Sequence, residues 1–217
     1  MIEFHHVTKK YGDEIALDDC SLKVAQGEML VLLGASGTGK STFLKLIAFE
    51  DRPTSGEVVV GAFRSTTARP AQVQKLRRTL GIIYQDFKLL PDRSVFENVA
   101  LPLRIAGLGR KDLHLRVEES LEKVELGGQG GKMPRQLSGG QQQRAAVARA
   151  LVHKPTVLLA DEPTGNLDHE MSARIVGLFR SVKQGGTAVV LATYDLTLVE
   201  SGDRVVRLDK GRLKEGA

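Results

Sequence analysis

The sequence predicts an α/β fold: a mainly parallel sheet core, a small antiparallel β subdomain and an inserted helical subdomain. Three observations predict it. Four apolar runs, MLVLL at 29–33, GIIY at 81–84, TVLLA at 156–160 and TAVVLA at 187–192, stand between turn signals. Their hydrophobicity is continuous rather than alternating, as expected of parallel strands covered by helices on both faces. Helix-patterned segments follow several of them, STFLKLIAF after the first and HEMSARIVGLFRSVKQ between the third and fourth. Finally, residues 86–154 carry no convincing strand.

Taken in order, residues 1–28 and 57–64 hold short alternating pieces, IEFHHV, SLKVA and EVVVGAF, which predict the antiparallel sheet. The middle block offers a helix over RKDLHLRVEESLEKVEL, a glycine-rich break GGQGG at 127–131, and a second helix over QQQRAAVARALV. The expectation is one domain with a core lobe of about 1–85 and 155–217 and a helical lobe of about 86–154. With 217 residues, 41% of them hydrophobic, the chain can bury a full core.

Thirty-one Lys and Arg against 26 Asp and Glu give a formal charge of +5, compatible with a phosphate ligand, an anionic membrane surface or nucleic acid. The basic residues form no long block; the tight cluster Lys75, Arg77 and Arg78 is expected to solvate a helix face. A single cysteine, Cys20, excludes an internal disulfide framework, fits a reducing cytosol and reads as an inert core residue. The opening MIEFHHVTKK lacks a signal-peptide apolar region, and no window reaches the ~20 apolar residues of a membrane span. Membrane contact is therefore expected through a partner or a surface patch. The five histidines lack metal-ligand spacing.

GASGTGKS at 34–41 fits G-x-x-x-x-G-K-[ST], with a strand before it and a helix after it. Gly34, Gly37 and Gly39 let the backbone turn successive N–H groups toward a phosphate chain, while Ala35, Ser36, Thr38 and Thr42 complete the cradle. Lys40 then neutralises the β- and γ-phosphates, and Ser41 offers a hydroxyl to Mg²⁺. VLLADE at 157–162 delivers Asp161 and Glu162 at a strand's carboxyl end, where open α/β sheets bind ligands. Asp161 is expected to hold Mg²⁺ through water, and Glu162 to orient or deprotonate an attacking water. Hydrolysis is thus favoured over phosphoryl transfer to a second substrate.

LSGGQQQR at 137–144 adds a second anion-binding helix terminus, opened by Ser138, Gly139 and Gly140 with bare N–H groups. One small domain rarely needs two such termini for one nucleotide. An economical explanation is that the second serves a nucleotide bound by another copy of the chain, so that ATP joins a homodimer.

GASGTGKS, LSGGQ and VLLADE, in that order, resemble the ATP-binding cassette ATPases, a P-loop NTPase family, over essentially the whole chain. The resemblance implies that Tyr11 stacks on adenine and that Gln85 contacts Mg²⁺ and the attacking water. It implies that Leu137, Ser138, Gly139, Gly140 and Gln141 close over the partner subunit's ATP, and that Asn166, Leu167 and Asp168 cross the dimer interface.

QDFKLLPDRSVFENVALPLRIAG, 85–107, is similar to the cell-division branch of that family, the FtsE-type ATPases. Their partner is an FtsX-like integral membrane protein, which implies a peripheral place on the cytoplasmic face of the inner membrane. The stretch also resembles the lipoprotein-release and macrolide-export branches. Phe87, Leu89 and Leu90 in it suit the docking of a membrane partner, and equally suit packing within the helical lobe. Nucleic-acid-associated cassette ATPases share the signature, but heptads and cysteine clusters are missing, so no direct nucleic-acid contact is expected. VVLATYDL, 189–196, departs from the family: Tyr194 stands where a histidine reaching the γ-phosphate is expected, and no histidine follows His169. A tyrosine donates one hydrogen bond but carries no positive charge near neutral pH, so slow hydrolysis is expected.

Overall fold

The computed structural model describes residues 1–215. Along the chain run β1 (Ile2–Tyr11), β2 (Glu14–Val24), β3 (Met29–Leu33), α1 (Lys40–Ile47), β4 (Ser55–Val60) and β5 (Phe63–Arg64). There follow α2 (Pro70–Arg77), β6 (Leu80–Ile83), α3 (Val95–Ile105), α4 (Arg110–Lys123), α5 (Gly139–Leu151) and β7 (Val157–Asp161). The chain then forms α6 (His169–Gln184), β8 (Ala188–Thr193), β9 (Arg204–Asp209) and β10 (Arg212–Glu215).

Two sheets result. The first is antiparallel, in the order β2-β1-β4-β5, and matches the alternating pieces at 1–28 and 57–64. The second runs β10-β9-β3-β8-β7-β6. Within it β9, β3, β8, β7 and β6 are mutually parallel neighbours and β10 is antiparallel to β9.

Side-chain alternation along the buried strands divides the interior. Leu30 and Leu32 of β3 join Phe43, Leu46 and Ile47 of α1 and Phe4 and Val58 of the antiparallel sheet. Met29, Val31 and Leu33 join Val95, Val99, Ala145, Val147, Ile175 and Phe179 of α3, α5 and α6 on the other face. Helices therefore cover one face, while the opposite face is covered by α1 together with a second sheet. That corrects the expectation of helices alone on both sides; strands buried on both faces stay continuously apolar whichever element covers them. The Phe4 and Phe43 rings lie stacked 4.2 Å apart, fixing the antiparallel sheet against α1.

Four elements, α3, α2, β9 and β10, escaped the sequence reading. Helix α3 begins at a capping box, with the Glu97 N–H donating to Ser94 Oγ at 3.2 Å and the Ser94 N–H to Glu97 Oε2 at 2.9 Å. Pro102 inside it weakens the helical pattern. Helix α2 was legible only as a basic face, and Arg77 there does more than meet water: its guanidinium donates to the Ala48 and Phe49 carbonyls at 3.1 and 2.7 Å, holding α2 on the end of α1. The β9–β10 hairpin turns through Lys210 and Gly211, both with positive φ (46° and 77°), the conformation that suits a two-residue hairpin loop. Its turn rests on β2, where Cys20 Sγ donates to the Gly211 carbonyl at 3.2 Å. Burial pushes the Cys20 thiol up to about 11, in keeping with an inert core residue.

No helix among the described residues is long and apolar enough to cross a membrane.

Candidate functional site

The predicted phosphate-binding segment runs from the end of β3 to the start of α1 and folds back on itself. Gly39, the residue before α1, has φ 103°, and a Cβ there would lie 2.3 Å from the Ala16 carbonyl oxygen, so only glycine fits. Thr38 Oγ1 donates to the Ala35 carbonyl at 2.9 Å and tightens the turn. Lys40, 6% exposed, donates from Nζ to the Gly34 and Ala35 carbonyls at 2.7 and 3.0 Å. The same Nζ lies 3.2 Å from Glu162 Oε1.

A cavity of about 550 Å³ opens over this loop. Around it stand Ser36 through Thr42 together with Tyr11, Gln85, Asp161, Glu162 and Tyr194, brought in by four separate segments. Of the predicted phosphate-loop residues, Gly34 and Ala35 face the loop's other side, beside an adjoining cleft that Tyr194 also borders.

Parallel topology explains the convergence. β3 lies beside β8 and β8 beside β7, with Leu33 level with Thr193 and Asp161 level with Ala192. The carboxyl ends of all three strands therefore finish at one edge, where the chain leaves the sheet. Glu162 holds a left-handed backbone (φ 46°), and its N–H donates to the Ala192 carbonyl at 2.9 Å, which ties it to the end of β8. Burial raises the Glu162 carboxyl above its ordinary value; the Lys40 ammonium opposes this.

Asp161 Oδ1 is buried without a hydrogen-bond partner, an acceptor that the protein alone leaves unsatisfied. Ser41, Gln85 and Asp161 line the same cavity and present oxygen donors, the set that Mg²⁺ takes. The residues present thus fit that ion. Among the described residues no group of three or more His, Cys, Asp or Glu gathers, and Mg²⁺ held by one carboxylate, substrate phosphates and water needs none.

At the cavity's outer end the Tyr11 ring is 45% exposed, while its hydroxyl donates to Asp51 Oδ2 at 2.7 Å. Lys9 Nζ donates to Asp51 Oδ1 at 2.6 Å and lies 4.7 Å from the Tyr11 ring centroid. Asp51, Ile15 and the 209–211 turn were not found from the sequence. Asp51 is forty positions from Tyr11 and carries no local motif, and the turn reaches the cavity only through the hairpin. Tyr194 follows the last residue of β8 and is 64% exposed.

The signature residues lie apart from this cavity. Leu137 is buried, and Ser138 caps α5, its Oγ accepting from the Gln141 N–H at 3.3 Å while Gln141 Oε1 accepts from the Ser138 N–H at 2.9 Å. The expectation of bare N–H groups at Ser138, Gly139 and Gly140 is corrected at Ser138, whose own N–H already donates to Gln141 Oε1. Gly139 and Gly140 approach the 166–168 loop, and a Cβ on Gly140 would meet the Asn166 carbonyl at 3.0 Å. Leu167 packs against the helix-side hydrophobic cluster, and Asp168 caps α6, its Oδ1 accepting from the Met171 N–H at 2.8 Å. In one chain, then, the signature and the 166–168 loop meet each other and leave the phosphate loop to itself.

Phe87 and Leu89 are half-buried, Leu89 against the inner cluster, whereas Leu90 is 39% exposed. They do not make one exposed patch.

Comparison with known proteins agrees with this arrangement. The ABC transporter family model matches residues 17–165. The chain is 46% identical to the cell division ATP-binding protein FtsE of Mycobacterium tuberculosis, over 98% of this chain and 94% of that protein. It is 45% identical to the Escherichia coli K12 protein of the same name, covering 100% and 98%, and 39% identical to that of Bacillus subtilis, covering 97% and 93%. A dimeric bacterial ABC transporter cassette superposes with a TM-score of 0.93 at 36% identity, over 99% of this chain and 98% of that one. A dimeric post-hydrolysis cassette bound to ADP and Pi gives 0.92 at the same identity and coverage. With the phosphate loop, the acidic strand end and the signature helix placed as described, this chain belongs to the ABC transporter family of ATPases.

Proposed function

We propose that this chain is the FtsE-type ATP-binding and ATP-hydrolysing subunit of a membrane complex in bacterial cell division. It couples an ATP-dependent homodimer cycle to an FtsX-like integral membrane protein and sits peripherally on the cytoplasmic face of the inner membrane. The observation that carries this reading is the division of the machinery: Lys40, Ser41, Gln85, Asp161 and Glu162 share one cavity, while Ser138–Gln141 and Asn166–Asp168 stand outside it. A second copy supplies what one copy holds away from its own nucleotide. Near-full-length similarity to FtsE proteins of three distantly related bacteria supports the cell-division assignment.

In this mechanism the loop N–H groups and Lys40 receive the β- and γ-phosphates, and Tyr11 receives the adenine ring. Ser41, Gln85 and Asp161 would hold Mg²⁺, which when bound would neutralise charge on the phosphate oxygens. Glu162 accepts a proton from the water whose oxygen forms the new bond to the γ-phosphorus as the bond to the ADP oxygen breaks. Partial burial suits Glu162 to that task by raising its proton affinity. Tyr194 offers a neutral hydroxyl at the γ-phosphate end, and a slower reaction than a histidine would allow is the consequence. Residues 86–154 act as a lobe that carries the signature toward the partner.

Size-exclusion chromatography of Glu162→Gln protein with and without ATP-Mg²⁺ tests the dimer cycle. A shift from monomer to dimer on ATP is expected, and an unchanged profile overturns it. Copurification with the FtsX-like protein, followed by an ATPase assay, tests the partner assignment.

A further inference from the structure

The turn of the β9–β10 hairpin carries a lysine where the backbone favours other residues. Its two loop positions are Lys210 and Gly211, at φ 46° and 77°. A hairpin loop with both residues left-handed prefers Asn-Gly, Asp-Gly or Gly-Gly, since a short polar side chain or none at all tolerates that region best. A lysine at the first position runs against the local preference, and such departures gather at functional sites.

The turn is held against the phosphate loop. The Gly211 carbonyl accepts from the Asp18 N–H at 2.8 Å and from Cys20 Sγ at 3.2 Å, which fixes the tip on β2. A Cβ on Gly211 would lie 3.1 Å from the Ala16 carbonyl oxygen, the same atom that leaves Gly39 no room for a side chain. One carbonyl of β2 thus stands between the hairpin tip and the residue before α1. Along this wall Tyr11 pairs with Glu14 at the head of the β1–β2 hairpin, and Ala16, two residues on, reaches Gly39 and Gly211. Lys210 therefore borders the cavity between its Tyr11 end and its Lys40 end.

The charges around it leave this lysine uncommitted. Among the described residues, Lys40 and Lys210 are the two cations on the cavity's walls, facing Glu14, Asp161, Glu162 and Asp209. Lys40 is paired with Glu162. Asp209, beside Lys210 in the chain, is taken by Lys214, whose Nζ donates to its Oδ2 at 2.8 Å and holds the carboxyl below its ordinary value. A lysine with no carboxylate of its own, on a fixed turn at the rim of a phosphate-loop cavity, is suited to an anion entering that cavity.

We infer that Lys210 is a further nucleotide-binding residue whose ammonium meets the α-phosphate. The inference rests on the ATP site proposed above and adds a cation that neither the phosphate loop nor the acidic strand end supplies. With adenine on Tyr11 and the β- and γ-phosphates on Lys40, the α-phosphate is the anionic group that falls between. A compact charge on a flexible stem reaches it from the rim without demanding a fixed geometry.

The informative exchange is Lys210→Asn, because Asn-Gly is a favoured pair for this turn. In the Glu162→Gln background, which keeps ATP whole, Lys210→Asn without nucleotide should melt at or above the parental temperature. It should nevertheless bind ATP-Mg²⁺ and ADP-Mg²⁺ roughly three- to tenfold more weakly, whereas Lys210→Arg should stay within about twofold of the parent. The ratio of dissociation constants for the two diastereomers of α-thio-ATP should shift by about threefold or more between the parent and Lys210→Asn. Affinity within about twofold of the parent overturns the inference, and so does a loss of affinity that comes with a lower melting temperature. An unchanged diastereomer ratio, or a loss that vanishes with 2′-deoxy-ATP, moves the contact off the α-phosphate and overturns it too. If the parent binds no nucleotide, the ATP-site reading fails and this contact with it; where the parent binds, the difference between parent and variant bears on Lys210 alone.

Discussion

Lys40 Nζ lies 3.2 Å from Glu162 Oε1, so the cation proposed to meet the phosphates and the carboxylate proposed to meet the attacking water are paired within one site. Both are well shielded, at 6% and 11% side-chain exposure, and the pair also uses the Gly34 and Ala35 carbonyls to complete the ammonium's hydrogen bonds. A charge left alone in such a place is costly, which makes the two residues dependent on each other. In the proposed mechanism phosphate oxygens would compete for the same ammonium, and nucleotide binding would draw Lys40 from the carboxylate.

Glu162→Gln should therefore retain ATP binding while losing roughly 10²- to 10⁴-fold in turnover, the range associated with a positioned acid–base group. Lys40→Ala should abolish ATP binding. Equilibrium titration and a phosphate-release assay separate the two outcomes, and parental turnover in Glu162→Gln would refute the assignment of the base.

Asp161→Asn tests the metal site. With its unpartnered oxygen replaced by an amide, or simply turned away, half-maximal activity should require roughly tenfold more Mg²⁺ or beyond. Chelation of the ion in the parent should likewise stop turnover. A Mg²⁺ titration that superposes on the parent's would remove Asp161 from the ligand set.

Tyr194→His should raise kcat by roughly tenfold or more, given that one well-placed transition-state contact is worth ~10²–10³-fold in other enzymes. The side chain is 64% exposed, so the exchange should leave the melting temperature nearly unchanged. A rate at or below the parental value would show that the tyrosine hydroxyl serves as well as imidazole.

Tyr11 should contribute through its ring. Replacing it with Ala should raise KM for ATP by roughly 5- to 150-fold, the equivalent of about 1–3 kcal/mol of base stacking. Tyr11→Phe keeps the ring and loses only the hydroxyl's bond to Asp51 at 2.7 Å, so its KM should rise no more than about threefold. Equal effects of the two substitutions would place the hydroxyl, rather than the ring, in the binding role.

Gly39→Ala should destabilise the protein by about 2 kcal/mol or more, since φ is 103° and the added Cβ would stand 2.3 Å from the Ala16 carbonyl oxygen. ATP affinity should fall with it. Gly37→Ala also meets a positive φ, 79°, but has open space around the new methyl and should cost less. Thermal melts of both variants, with and without ATP, give the comparison.

Much of this was written locally. GASGTGKS fixes a strand, a tight turn and a helix within one short stretch, VLLADE fixes a buried strand with its acids at the end, and the four apolar runs became β3, β6, β7 and β8 within a residue or two. Those features depend on near neighbours and on side-chain periodicity, which the linear chain carries in full. Helix α3 was hidden by Pro102 and the basic strands β9 and β10 by their charge, although the Ser94–Glu97 capping pair was there to be read.

Tertiary structure alone decided the rest. That Asp51 holds Tyr11, that Arg149 grips Phe87 and Lys88, and that Gly140 meets Asn166 are contacts across 40, about 60 and 26 positions. No periodicity links such pairs. They meet because parallel strands deliver their carboxyl ends to one edge, and because the strands' two faces must each find a different covering layer. The sequence determined which chemistry the chain carries; the packing of two layers on one sheet determined which of those groups share a site and which stand apart from it.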